Sequence, residues 1–321
     1  MKLLIAYDGS ESADTAIEGL RRAGLPSKNV EALVVSVAEV WLPLPARNEV
    51  LDDTFPLQIP HGLKHARERA AHMIADAEEV AERGRKRVQQ ALPEWSVTHE
   101  VKTGSPAFEL LNHAEQYQPH LIVVGSHGRT ALGRFVLGSV SQKVLTEAPC
   151  SVRIGRPTPG VGASAQRILL GIDGSRGSTA AVREVGRRDW TPGSEVRVVV
   201  AQDLMKTFPA SLLIPPVKEF VDETNKEEYT AAEELAADAV KILRASLGDR
   251  VTVSWAIDSG DPKEVLVRLA EKFGADCIFT GATGFSNRIE RFILGSVSAA
   301  VAARAHCAVE VVRESDAIKV P

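Results

Sequence analysis

Short apolar runs alternate with amphipathic stretches along this chain, and the alternation runs through its full course twice. KLLIAY at 2–7 is a continuous apolar run, the pattern of a strand buried on both faces of a parallel sheet. Asp8-Gly9-Ser10 reads as a turn, and Ser12 as the cap of a helix through about Arg22. VEALVVSV at 30–37 is a second buried strand. Residues 38–62 hold four prolines without periodicity and read as a long loop. A helix is expected from Leu63 to Leu92, then a strand at 95–102 (WSVTHEVK) whose alternation leaves one side less buried. Pro106 opens a short helix, HLIVVG at 120–125 is a fourth strand, and a last helix runs from Gly138 to Thr146. CSVRIG at 150–155 closes the unit. Strands alternating with helices predict a parallel sheet covered on both faces by right-handed crossovers. Ligands of such sheets bind beyond the carboxyl ends of the strands, where strand order reverses. Asp8 and Gly125 both end strands on that rim.

The second half repeats the first. LLIAYDGS at 3–10 returns as LLGIDGS at 169–175, pairing Asp8 with Asp173 at an offset of 165 (173 − 8). Gly104 pairs with Gly260 and Gly125 with Gly281, both at 156; Gly138 pairs with Gly295 and Cys150 with Cys307, both at 157. Landmarks held in phase over such distances mark a tandem duplication. RPTPGVGASAQ at 156–166 has a linker's composition. The expected units are residues 1–155 and 167–313, with a tail at 314–321, each an ordinary size for one core.

Composition narrows the class without naming a function. The 321 residues are 44% hydrophobic and 25% charged, as in soluble globular proteins. No apolar run approaches a membrane span, and the N-terminus enters a strand without a secretory signal's layout. A net charge of −4 gives no reason to expect nucleic acid or an anionic membrane. The three cysteines, Cys150, Cys277 and Cys307, fall in or beside strands and read as small buried residues; with no signal, this predicts a cytoplasmic protein.

The strongest chemical signal follows the fourth strand. Gly125-Ser126-His127-Gly128 is succeeded, after nine intervening residues, by Gly138-Ser139. The first glycines permit close backbone approach, and Gly138-Ser139 opens a helix whose N–H groups and dipole favour an anion. Ser139 and Ser141 offer hydroxyls, and Arg129 and Arg134 add charge between. Together these suit a polyphosphate. Each piece alone has a bland reading, a common turn or an ordinary cap.

On these residues, both halves resemble universal stress protein domains, whose ATP-binding members carry G-x2-G-x9-G-[S/T] at this place. The resemblance implies an α/β fold of two repeated doubly wound, Rossmann-like parallel sheets, each of order 3-2-1-4-5. It implies an adenine nucleotide, ATP, across the rim, with Asp8 near the adenosine and Val37 beside the adenine. Gly125, Ser126, His127 and Gly128 would line the ribose and phosphate path, with Arg129 counted among the binding positions for its charge, and Gly138, Ser139, Val140 and Ser141 would hold phosphate. It also implies that the halves pair through their last strands, at 150–155 and 307–313, as an intramolecular pseudo-dimer, with a further homodimer left open.

The second half departs from that pattern. Ten residues, FSNRIERFIL, separate Gly284 from Gly295, and no glycine answers Gly133. Ala201 stands where the resemblance expects valine. Asp173, Gly281, Gly284, Gly295, Ser296, Val297 and Ser298 are the corresponding binding positions, with Arg288 and Arg291 in the loop.

No catalytic set emerges: there is no G-x-S-x-G elbow, no Walker A lysine and no Cys-His pair in context. Asp8 could at most join a phosphate-bound Mg²⁺. His61, His65 and His72 have helical spacing, yet Gly62 stands where a zinc-protease helix needs Glu, so they read as a solvated face. The leading expectation is an ATP-binding sensor or regulator in stress adaptation. A slow ATP hydrolase and a nucleotide-free scaffold are the alternatives.

Overall fold

A computed structural model of the chain describes residues 1–40, 61–128, 137–157, 164–202, 215–282 and 294–314, with only the backbone given at 61–64 and 215–220. In the first half, strands β1 (Lys2–Ala6), β2 (Glu31–Ala38), β3 (Ser96–Thr103), β4 (Leu121–Gly125) and β5 (Ser151–Gly155) alternate with helices α1 (Glu11–Glu18), α2 (His61–Ala91), α3 (Pro106–Tyr117) and α4 (Ser139–Glu147). The second half repeats the order with β6 (Arg167–Ile172), α5 (Arg176–Arg187), β7 (Glu195–Gln202), α6 (Pro215–Leu247), β8 (Thr252–Ser259), α7 (Pro262–Phe273), β9 (Cys277–Gly281), α8 (Ser296–Arg304) and β10 (Ala308–Val312).

The ten strands form one sheet, ordered β3-β2-β1-β4-β5-β10-β9-β6-β7-β8. Each half is therefore a parallel 3-2-1-4-5 sheet. The halves join where β5 and β10 run antiparallel, in the register Val309↔Ile154, Glu310↔Arg153 and Val311↔Val152. Neither β5 nor β10, the last strand of its half, is left as an open edge; the outer edges of the sheet are β3 and β8.

Strand alternation sorts the side chains into two layers. Leu4, Ile122, Val152, Ile154, Ile278, Val309 and Val311 belong to one apolar core that crosses the seam between the halves. On the opposite face each half has its own core: Leu3, Ile5, Leu121 and Val123 in the first, Ile168, Leu170, Trp190 and Phe279 in the second. The shared layer makes the two repeats one folded body, since neither can bury that face alone.

Three local expectations are corrected. The cap of α1 is Ser10, whose Oγ accepts from the Ala13 N–H at 3.2 Å, and not Ser12. The α-helix ends at Glu18 and tightens to a 3-10 turn over Gly19–Arg22, short of the continuous helix expected. Helix α2 begins at His61, two residues before the expected start; the loop preceding it falls largely outside the described residues.

Candidate functional site

The rim of each half is built around an Asp-Gly-Ser turn at the end of its first strand. Asp8 Oδ1 accepts from the Ser10 N–H at 2.9 Å, and Asp173 Oδ1 from the Ser175 N–H at 3.0 Å. The turn needs a left-handed residue, and Gly9 and Gly174 supply it at φ 77° and 81°. The carboxylate thus folds back over its own turn and is aimed at the rim.

Beside it, the fourth strand ends in a glycine for a steric reason. A Cβ on Gly125 would lie 2.7 Å from Ser12 Oγ and 3.0 Å from the Ser12 carbonyl carbon, so the start of α1 passes directly against this position. Gly281 meets Gly177 in the same way. Gly128 then comes close to Asp8: a Cβ there would be 3.2 Å from Asp8 Oδ2. The two sequence signals of the first half therefore meet at one end of the sheet.

The glycine loop closes on itself. Gly138 N–H donates to the Ser126 carbonyl at 2.8 Å, and Gly295 N–H to the Ala282 carbonyl at 2.6 Å. These bonds bring the helix starts against the strand ends. Gly138 and Gly295 are the N-caps of α4 and α8, and the first N–H to bond back within each helix is that of Gln142 or Ala299. The amides of Ser139, Val140 and Ser141, and of Ser296, Val297 and Ser298, thus lie outside the helical ladder at the positive end of the dipole. Val37 and Ala201 occupy matching places on β2 and β7 against the shared core, as do Val140 and Val297.

Several hydroxyls have other work. Ser141 Oγ donates to the Gly125 carbonyl at 2.7 Å and Ser298 Oγ to the Gly281 carbonyl at 2.6 Å, so each fastens its helix to the strand end. Ser139 is exposed at the helix start. Ser126 Oγ is 2.9 Å from His127 Nδ1. Ser12, which sequence reasoning took for a cap, accepts from the Ser126 N–H at 2.8 Å and the His127 N–H at 3.2 Å. Its counterpart is Gly177, so this clamp belongs to the first half alone; that Ser-to-Gly difference was the available signal. Arg129, Arg134, Gly284, Arg288 and Arg291 lie outside the described residues.

In the second half the rim encloses a cavity of about 410 Å³, floored by Val199 and Leu266 and edged by Asp173, Thr280, Gly295 and Ser296. That is the size and lining of a small-molecule site, largely apolar with a few convergent polar groups. The Thr280 hydroxyl is buried on it without a hydrogen-bond partner among the described residues. The first half has Val124 at this position (280 − 156).

Among the described residues no group of three or more His, Cys, Asp or Glu is placed to hold a metal. His65 lies 3.3 Å from Glu68 on α2. No described helix is long and apolar enough to cross a membrane. All three cysteines are buried free thiols; burial pushes Cys150 up to about 12 and Cys277 up to about 11.

The model of the universal stress protein family matches residues 1–156 and again 164–313. The chain belongs to that family. Each half is the size of a whole relative: universal stress protein YxiE of Bacillus subtilis is 31% identical over 170 residues, 48% of this chain and 98% of its own. A universal stress protein of Thermus aquaticus is 34% identical over 154 residues, again 48% of this chain and 97% of that one. A universal stress protein of Archaeoglobus fulgidus shares the fold across both halves, with a TM-score of 0.62, 22% identity and 98% of each chain covered. This universal stress protein is therefore a tandem member, with two family domains on one sheet.

Proposed function

We propose that this universal stress protein binds ATP in the rim crevice of its first half and acts as a nucleotide-dependent regulator in stress adaptation. The observation that carries the reading is the meeting of Asp8, Gly128 and the amide-bearing start of α4 at one end of the sheet. An anion at that helix start gains the dipole and the unladdered amides, while Val37 offers an apolar edge for a base. Asp8 sits where a phosphate-bound Mg²⁺ would find a carboxylate. The second crevice offers the same elements with a longer loop and an added hydroxyl at Thr280, and takes nucleotide more weakly. Bound nucleotide favours one arrangement of the rim loops over others, and that preference is what a partner protein would read. The setting is the cytoplasm, where buried reduced thiols are the ordinary state.

The test is calorimetry with ATP, ADP and adenosine on the nucleotide-stripped chain, together with identification of whatever small molecule co-purifies. Saturable ATP binding with little phosphate release supports a sensor. Steady phosphate release that disappears in Gly138→Val supports the hydrolase instead, and absence of any binding leaves a scaffold.

A further inference from the structure

The pseudo-two-fold axis between the halves passes through one pair of residues of opposite charge. Arg153 and Glu310 are equivalent positions, 157 apart (310 − 153), the offset that relates Ser139 to Ser296. They are also direct partners in the β5–β10 register, flanked symmetrically by Val152↔Val311 and Ile154↔Val309. Arg153 Nη1 lies 3.1 Å from Glu310 Oε2, with both side chains almost fully buried. Arg153 Nη1 also meets Cys277 Sγ at 3.2 Å, again from the second half. Glu310 is also met by Arg188 of its own half.

A second buried pair has the same polarity. Arg22 Nη2 of the first half lies 2.9 Å from Asp276 Oδ1 of the second, with side chains 6% and 8% exposed. Asp276 is equivalent to His120 (276 − 120 = 156), and the structure bears the equivalence out. Asp276 Oδ2 accepts from the Arg167 N–H at 2.8 Å, as His120 Nδ1 accepts from the Lys2 N–H at 3.0 Å. Both acids of the seam thus belong to the second half, and the first half presents bases at both positions.

The ends of the paired strands are matched between the halves. Arg156 Nη2 donates to the Ala302 carbonyl at 2.6 Å at the end of α8, and its equivalent Arg313 donates to the Leu145 carbonyl at 2.8 Å at the end of α4. The apolar neighbours on the strands match likewise. The two charge pairs break the symmetry, and so does the stretch beside Arg188: Arg188 Nη1 donates to the Ala23 carbonyl at 3.0 Å and the Asp189 N–H to the Gly24 carbonyl at 2.8 Å, where Ala23 and Gly24 are themselves the equivalent positions.

We infer that Arg153–Glu310 and Arg22–Asp276 form a pairing code that makes the two halves obligate unlike partners, so that the first half accepts an acidic-faced last strand and rejects a copy of itself. A like-with-like pair of first halves would bury Arg153 against Arg153 on the axis and bring Arg22 to His120, with no acid at either position. Like charges directly opposite on a sheet are destabilising, and a buried charge without its partner is more costly than the pair was worth. The second half carries Arg188 beside Glu310, so its own acid is partly balanced and the exclusion rests mainly on the first half. For a tandem chain this is specification against alternatives: neighbouring copies in a crowded cell cannot pair first half to first half through their open strands.

The test uses the full chain. Asp276→His/Glu310→Arg gives the second half the residues of the first at these two positions, and so sets Arg153 against a second arginine and Arg22 against a histidine in cis. The melting temperature should fall by on the order of 10 °C, and sedimentation should show opened or associated chains in place of the wild-type species. Adding Arg153→Glu to Glu310→Arg restores opposite charges with Arg188 unchanged, and should recover at least half of the loss caused by Glu310→Arg alone. If Glu310→Arg gives no soluble protein, soluble Arg153→Glu/Glu310→Arg counts as that recovery. A wild-type melt for Asp276→His/Glu310→Arg, or a reversed pair no better than Glu310→Arg alone, overturns the code.

Discussion

Ser12 Oγ holds the backbone N–H of Ser126 at 2.8 Å, joining the first turn of α1 to the residue that follows β4. The same oxygen takes the His127 N–H at 3.2 Å. One buried hydroxyl therefore fixes the direction in which the glycine loop leaves the sheet. Replacing it by Ala leaves two amides seeking a partner, which should cost about 1–3 kcal/mol. The expected result for Ser12→Ala is a melting temperature lower by several degrees and weaker ATP binding in the first half, with the second crevice unchanged. Thermal melts and calorimetry on one preparation check both, and unchanged ATP affinity would remove Ser12 from the site.

Gly138 has backbone angles that any residue adopts, at φ −63° and ψ 152°, so its role is one of space. A Cβ there would stand 3.1 Å from His127 Cα, and valine adds two methyls beyond it beside the proposed phosphate site. Gly138→Val is expected to abolish the stronger ATP site while leaving the far-UV spectrum and the melt near wild type. Gly128→Ala acts similarly through Asp8 Oδ2, 3.2 Å from its new methyl. Gly295→Val should touch only the weaker site. Calorimetric titration of the three variants separates the crevices, and two equal sites in the wild type would show that the longer second loop is harmless.

The repeat and the alternation of parallel strands with helices were legible because they rest on spacing and periodicity, which are properties of the chain itself, whereas the strand order came from the resemblance to universal stress protein domains. The continuous runs at 2–7 and 120–125 need burial on both faces, and only a central parallel strand provides it. The cap of α1 was less legible. Ser10 and Ser12 are chemically alike, and what distinguishes them is the Asp8-Gly9 turn that delivers Ser10 to the Ala13 amide. Ser12 is left to serve a loop more than a hundred residues away, a contact no local window contains. The charge code of the seam was equally hidden: Arg153 reads as an interruption in an apolar strand until Glu310 is placed opposite it.

The three thiols should be silent in the native protein. Burial pushes Cys150 up to about 12 and Cys277 up to about 11, and Cys307 is raised further still by burial. At pH 8 almost no thiolate exists to react, and the sulfurs are inaccessible besides. A chromogenic disulfide reagent should titrate no thiol in the folded chain and three in denaturant. Rapid native labelling would show that the strands around the seam open far more often than their packing suggests.

His113 on α3 gives the protein an acid-sensitive point away from the crevices. Burial, then Lys102, depress its basicity, and the nearby Glu100 carboxylate, 3.6 Å from Nε2, does not offset them. The folded state therefore binds a proton less readily than the unfolded chain. As pH falls below the ordinary histidine value of about 6.5, the unfolded state gains protons first, so the contribution of the neutral ring to stability is present above that value and is lost below it. Melts between pH 7.5 and 5 should show the wild type losing stability more steeply than His113→Gln. Parallel curves would mean that the ring protonates in place without strain, and that the acid sensitivity lies elsewhere.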